Sequence, residues 1–124
     1  MDKALDIKVS FQDEDPQEVI SALQEVGAED IAEIKQFGMT GIEIAVVGVL
    51  VAYALTNLIM KLLQLWKCGV IVDARGTQIL TKKNCDLPSG TVLIISLDGT
   101  ETKLHEPSEL QINDLISEIF KGSA

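Results

Sequence analysis

From Ile44 to Leu55 the chain carries no charged or amide side chain, and no other stretch constrains the fold as strongly. Glu43, Asn57, Lys61 and Gln64 sit at its ends, so Gly41–Trp66 reads as one long apolar helix. Its uncharged run, Ile44 to Met60, is 17 residues long, close to the ~20 that a membrane-spanning helix needs. Glu43, Asn57 and Gln64 fall on one helical face, which leaves the first half apolar all round. Gly48, Ala52 and Thr56 repeat at four-residue spacing, as do Gly41 and Ala45; small residues so placed let a second backbone approach closely. Three placements follow: the buried centre of an α+β domain, a single membrane span, or the association helix of a homo-oligomer. Trp66-Lys67 suits an interfacial anchor and equally a ring that closes the core.

Around this segment the hydrophobic period changes. Leu5, Ile7, Val9 and Phe11 alternate with polar residues, which predicts a strand with one buried face. Asp15-Pro16-Gln17-Glu18 reads as a helix start, Val19, Ile20, Leu23 and Val26 as its stripe, and Gly27 as its stop. Residues 31–37 have a mixed period compatible with a short strand. After Trp66, residues 69–74 and 77–81 read as strands around Arg75-Gly76. Lys82 to Gly90 reads as a polar loop, and 91–97 as a central strand. Asp98-Gly99 is the strongest hairpin signal, with 100–105 returning. Pro107 and Ser108 open a last helix with the stripe Ile112, Leu115, Ile116, Ile119 and Phe120. The expectation is one α+β domain over residues 1–124: strand, helix, a further strand at 31–37, long apolar helix at 41–66, four-strand antiparallel meander, helix.

Charge narrows the function. Lys and Arg total 10 against 19 Asp and Glu, a net charge of −9, and aromatics are 4% of residues. Neither phosphate neutralisation nor base stacking is served, so nucleic acid is not an expected partner. Residues 1–40 alone hold ten acids and three bases. Asp13, Glu14, Asp15 and Glu18 are the densest part, a surface for a basic partner or simply a solubilising one. Only two cysteines are present, Cys68 and Cys85. They do not make the framework of a secreted mini-protein, and the N-terminus has no signal-peptide pattern. Reduced thiols and a cytoplasmic location follow as expectations, with membrane association through 41–66 kept open.

Catalytic signals are thin. The single histidine, His105, would need Cys68 or Cys85 within hydrogen-bond reach to make a nucleophilic pair, and no orienting partner is visible. No His/Cys spacing matches a zinc site. Asp13-Glu14-Asp15 lacks the glycine and distal glutamate of a calcium loop. Gly38-Met39-Thr40-Gly41 lacks the Lys-Ser/Thr of a phosphate loop. The reading is a non-enzyme without catalytic, metal or cofactor residues.

The acidic first strand and helix, the Gly/Ala-rich apolar segment ending in Leu65-Trp66-Lys67, the strand after it and the hairpin from Val92 to Leu104 together form a pattern. It resembles the effector-associated constant components of bacterial conflict systems, over about residues 5–104 by the segments just quoted. The resemblance implies a small non-catalytic adaptor or sensor that recruits or holds an effector, and it carries over no catalytic residue. The family's more basic stretch after the long helix is reduced here to Lys61 and Lys67.

The expected function is therefore a non-enzymatic interaction or adaptor protein of a bacterial defence or conflict system. It self-associates through Gly41, Ala45, Gly48, Ala52 and Thr56 and docks a protein partner, an effector or a toxin, on its sheet or its acidic N-terminal surface. One alternative is an acidic, antitoxin-like immunity protein that neutralises a basic toxin. Another is a single-span membrane-anchored protein or effector with Trp66 and Lys67 at the interface.

Overall fold

The computed structural model describes residues 4–11, 16–38 and 41–121, with backbone alone at 36–38, 41–43, 52 and 119–121. Its elements are β1 (Ala4–Phe11), α1 (Pro16–Glu25), β2 (Glu29–Gly38), β3 (Gly41–Val51), α2 (Ala52–Trp66), β4 (Gly69–Asp73), β5 (Ile79–Asn84), β6 (Thr91–Ile95), β7 (Glu101–His105) and α3 (Glu109–Lys121). The strands form one mixed sheet in the order β2-β3-β1-β5-β4-β6-β7.

The expectation of a single helix over 41–66 is overturned. Residues 41–51 form a strand and 52–66 a helix of 15 residues. The physical reason lies in the residue types. Ile44, Val46, Val47, Val49 and Val51 are β-branched, lose side-chain freedom in a helix and fit a pleated surface. Because β3 is apolar on both faces, it lacks the alternation that marks a strand. From Ala54 onward the period becomes helical, and Leu55, Leu58, Ile59 and Leu62 turn to the core. Lys67, with φ 55°, ends α2 in the left-handed conformation. Among the described residues no helix is long and apolar enough to cross a membrane. At 1.5 Å per residue α2 spans about 22 Å, short of the ~30 Å hydrocarbon layer.

The four-strand meander is corrected too. β4 and β5 form an antiparallel hairpin, but β6 lies parallel to β4 on its other side. The chain from Cys85 to Gly90 therefore crosses over the start of β4. There Leu87 lies against Gly69 so closely that a Cβ built on Gly69 would sit 2.3 Å from the Leu87 Cβ. Gly69 is thus set by space. β5 in turn pairs parallel with β1, β1 antiparallel with β3, and β6 antiparallel with β7 through the Asp98-Gly99 turn. In that turn the Gly99 N–H donates to the Ser96 carbonyl, and the Thr100 N–H donates to Asp98 Oδ1 at 2.9 Å.

Cys68 and Cys85 are joined in a disulfide, which replaces the expected pair of reduced thiols. The bond spans the open end of the β4–β5 hairpin, one step beyond the Gly69–Asn84 pair.

One core accounts for the packing. Leu5, Ile7, Val9 and Phe11 of β1 meet Val46 and Leu50 of β3, Val70 and Val72 of β4, Ile79 of β5, and Val92 and Ile94 of β6. By register these all point to one side of the sheet. Val19 and Leu23 of α1, Leu58 and Leu62 of α2, and Ile112 and Ile116 of α3 join the same cluster. All three helices thus cover a single face.

Candidate functional site

Strand alternation fixes what the opposite face presents. Val47, Val49 and Val51 of β3 stand beside Lys8, Asp6 and Ala4 of β1. Leu80 and Lys82 follow on β5, Asp73 and Ile71 on β4, Ile95 and Leu93 on β6, and Glu101 and Lys103 on β7. None of these side chains belongs to the core cluster. Val51 is 37% exposed, and Ile34, in the β2 row beside Ala45, is 36% exposed. The face is apolar in its valine ridge and in the half-buried Ile71–Leu80–Leu93 patch, beside which Ile95 is buried, with charged residues of both signs between and around them.

The electrostatics of its rim centre on Asp73 and Arg75. The Arg75 guanidinium donates from Nε to Oδ1 at 3.0 Å and from Nη2 to Oδ2 at 2.8 Å, and the Arg75 backbone N–H donates to Oδ1 as well. The side-chain bond to Arg75 holds the Asp73 carboxyl below its ordinary value, against an opposing effect of burial and with further help from the Arg75 backbone N–H and charge. A carboxyl with a lowered folded-state pKa stabilises the fold above its unfolded value near 3.8, and the contribution disappears as pH falls through the lower folded value. Asp73→Asn should therefore lower stability at neutral pH by less than about 1 kcal/mol, as for other exposed pairs. The variant and parent should converge in acid, as pH falls through the lowered folded-state value. Denaturant midpoints measured against pH check this; a gap that persists undiminished in acid would mean that the substitution acts through packing.

The residues singled out from the sequence are not brought together. Gly41 opens β3, and Ala45 and Gly48 lie on opposite faces of that strand, Gly48 toward the helices. Ala52 begins α2, while Thr56 is fully buried and its hydroxyl donates to Asn113 Oδ1 of α3 at 3.4 Å. The four-residue spacing thus makes no common stripe, because it runs through a strand, where equivalent positions repeat every two residues. Trp66 is 4% exposed and sits in the core, so its ring is not offered to an interface, whereas Lys67 is exposed. Asp13, Glu14 and Asp15 lie outside the described residues. Glu18 is exposed on α1 and lines an open groove of about 500 Å³ between α1 and α2, with Ser21, Glu25, Lys61 and Gln64. Within the groove Lys61 forms an ion pair with Glu25.

The remote Cys–His reading loses its nucleophile in this structure, because Cys85 is tied to Cys68. His105 instead lies 3.3 Å from the Thr91 hydroxyl through Nδ1. Among the described residues no group of three or more His, Cys, Asp or Glu is placed to hold a metal ion.

Sequence reasoning named the sheet as a docking surface but not the residues of its uncovered face, because that face is assembled from strands that are distant in the chain. The one local signal was the row of odd-numbered valines in β3. Comparison with family models, with curated proteins and with solved structures finds no match.

Proposed function

We propose that the protein is a non-enzymatic interaction module that docks a protein partner through the uncovered face of its sheet. The observation that carries this reading is the ridge Val47–Val49–Val51, together with Ile71 and Leu93, on a face that no described helix covers. Apolar side chains that gain nothing from their own core are available for burial against another surface. The role of an effector-holding adaptor, implied by the likeness to conflict-system components, fits such a surface. In that role the protein supplies position, and the chemistry belongs to what it holds.

Photo-crosslinking in the native host tests the reading. A crosslinking residue at position 47 should give discrete protein adducts, including any adduct with a second copy of the chain. The same residue at position 64, on the helix side, should give far fewer, and Leu93→Glu should remove the adducts from position 47. Equal adduct yields from the two positions would sink the proposal.

A further inference from the structure

We infer that the occupant of the uncovered face is a second copy of this chain, packed sheet to sheet. The inference rests on the interaction reading above and names its partner.

Charge selects the occupant. The chain carries −9, so two copies repel wherever acidic surfaces meet. The uncovered face is different. Among its described side chains and rim, Glu29, Asp6, Asp73 and Glu101 are matched by Lys8, Lys82, Lys103 and Arg75. A face whose described charges nearly cancel, with both signs interspersed, lets two acidic chains approach with far less repulsion than their other surfaces would impose. Across a two-fold axis it can also set an acid of one copy against a base of the other. A basic partner would gain more from the acidic remainder of the surface than from this patch.

The edges of the sheet are poorer routes to association. β2 carries Asp30, Glu33 and Lys35 and a register irregularity between Glu29 and Ala32, and Asp30 has φ 53°. β7 alternates Glu101, Lys103 and His105 with its inward residues. Charges and bulges on edge strands oppose pairing with another edge.

The face is also large enough. Seven strands at ~4.8 Å spacing span about 29 Å, and even the five-residue strands are about 17 Å long. That is a flat footprint of about 500 Å² per copy, or about 1,000 Å² for a pair before side-chain relief is added, which meets the lower bound of about 1,000 Å² for a biological interface. Two sheets packed in this way adopt the aligned sandwich arrangement, ~10 Å apart.

Light scattering on the purified full chain, at several tens of micromolar, tests the inference. The expected mass is twice 13.5 kDa. Added salt should tighten the dimer, because it screens the like-charge repulsion more than the apolar contact. Val49→Lys should weaken it at least tenfold, while Gln64→Lys on the helix side leaves it unchanged. Ile71→Lys provides an independent variant should Val49→Lys fail to keep a native circular dichroism spectrum. A wild-type monomer at every concentration overturns the inference, as does a dimer broken by Gln64→Lys and indifferent to Val49→Lys and Ile71→Lys. A monomer whose position 47 still crosslinks to a different protein would overturn the self-association while leaving the interaction reading intact. A monomer with no such adducts would remove both.

Discussion

Gly69→Val should be among the most damaging single substitutions in this chain, lowering stability by about 3 kcal/mol, at the upper end of what overpacking costs. Strain at a left-handed glycine plays no part here; space alone decides. An added Cβ would lie 2.3 Å from the Leu87 Cβ, 3.0 Å from its Cδ1 and 3.2 Å from the Asn84 carbonyl oxygen. The far end of a leucine can swing aside, but its Cβ is fixed by the backbone, so the crossing loop itself must move. That loop is held in place. The Leu87 N–H donates to the Asn84 carbonyl, the Thr91 N–H donates to the Pro88 carbonyl, and the Asp86 N–H donates to Asn84 Oδ1 at 2.8 Å. Displacing it disturbs the passage from β5 to β6 that puts β6 beside β4. Urea unfolding of Gly69→Ala, Gly69→Val and Leu87→Ala would check the argument. Leu87→Ala retains the obstructing Cβ and so should not rescue Gly69→Ala, whereas Leu87→Gly should rescue part of the loss. Full rescue by Leu87→Ala would show that the side-chain tip, not the backbone, sets the limit.

That crossing also marks the boundary of what could be read from the sequence. Elements with a single local signature were legible. β1 alternates, α1 begins at Pro16 and ends before Gly27, whose φ is 85°, and the Asp98-Gly99 turn joins an antiparallel pair. Residues 41–66 were not, because a strand buried or half-buried on both sides has the apolar density of a helix, and no proline or charge separates Val51 from Ala52. Lys82, Lys83 and Asn84 read as loop from their polarity, yet they continue β5 and pair with Ile71, Val70 and Gly69. The candidate surface was legible only in fragments. Each strand announced an inward row, but which outward rows become neighbours depends on β1–β5 and β4–β6 pairing, and both pairings are parallel and non-local. Such pairings are closed by the fold as a whole, not by any turn signal.

Removing the disulfide is the second large expected effect. Cys68 and Cys85 are 17 residues apart, and closing a loop of that size restricts the unfolded chain by about 3 kcal/mol in the chain-entropy account. The paired variant Cys68→Ser/Cys85→Ser should therefore lose about that much, and reductant should bring the parent to the same midpoint while leaving the variant unmoved. A parent indifferent to reductant would show that the bond contributes nothing. Cys85 is exposed and Cys68 half-buried, so an attacking thiolate can reach the bond without prior unfolding. The loss should not add simply to that of Gly69→Val. Both act on one hinge: the bond ties down the first residue of the crossing loop, and Leu87, two residues on, presses on Gly69. With the bond gone the loop can lift, and the added Cβ meets less resistance. Neighbouring sites coupled in this way deviate from additivity by about 0.5 kcal/mol or more. Gly69→Val should accordingly cost less in the cysteine-free background than in the oxidised parent.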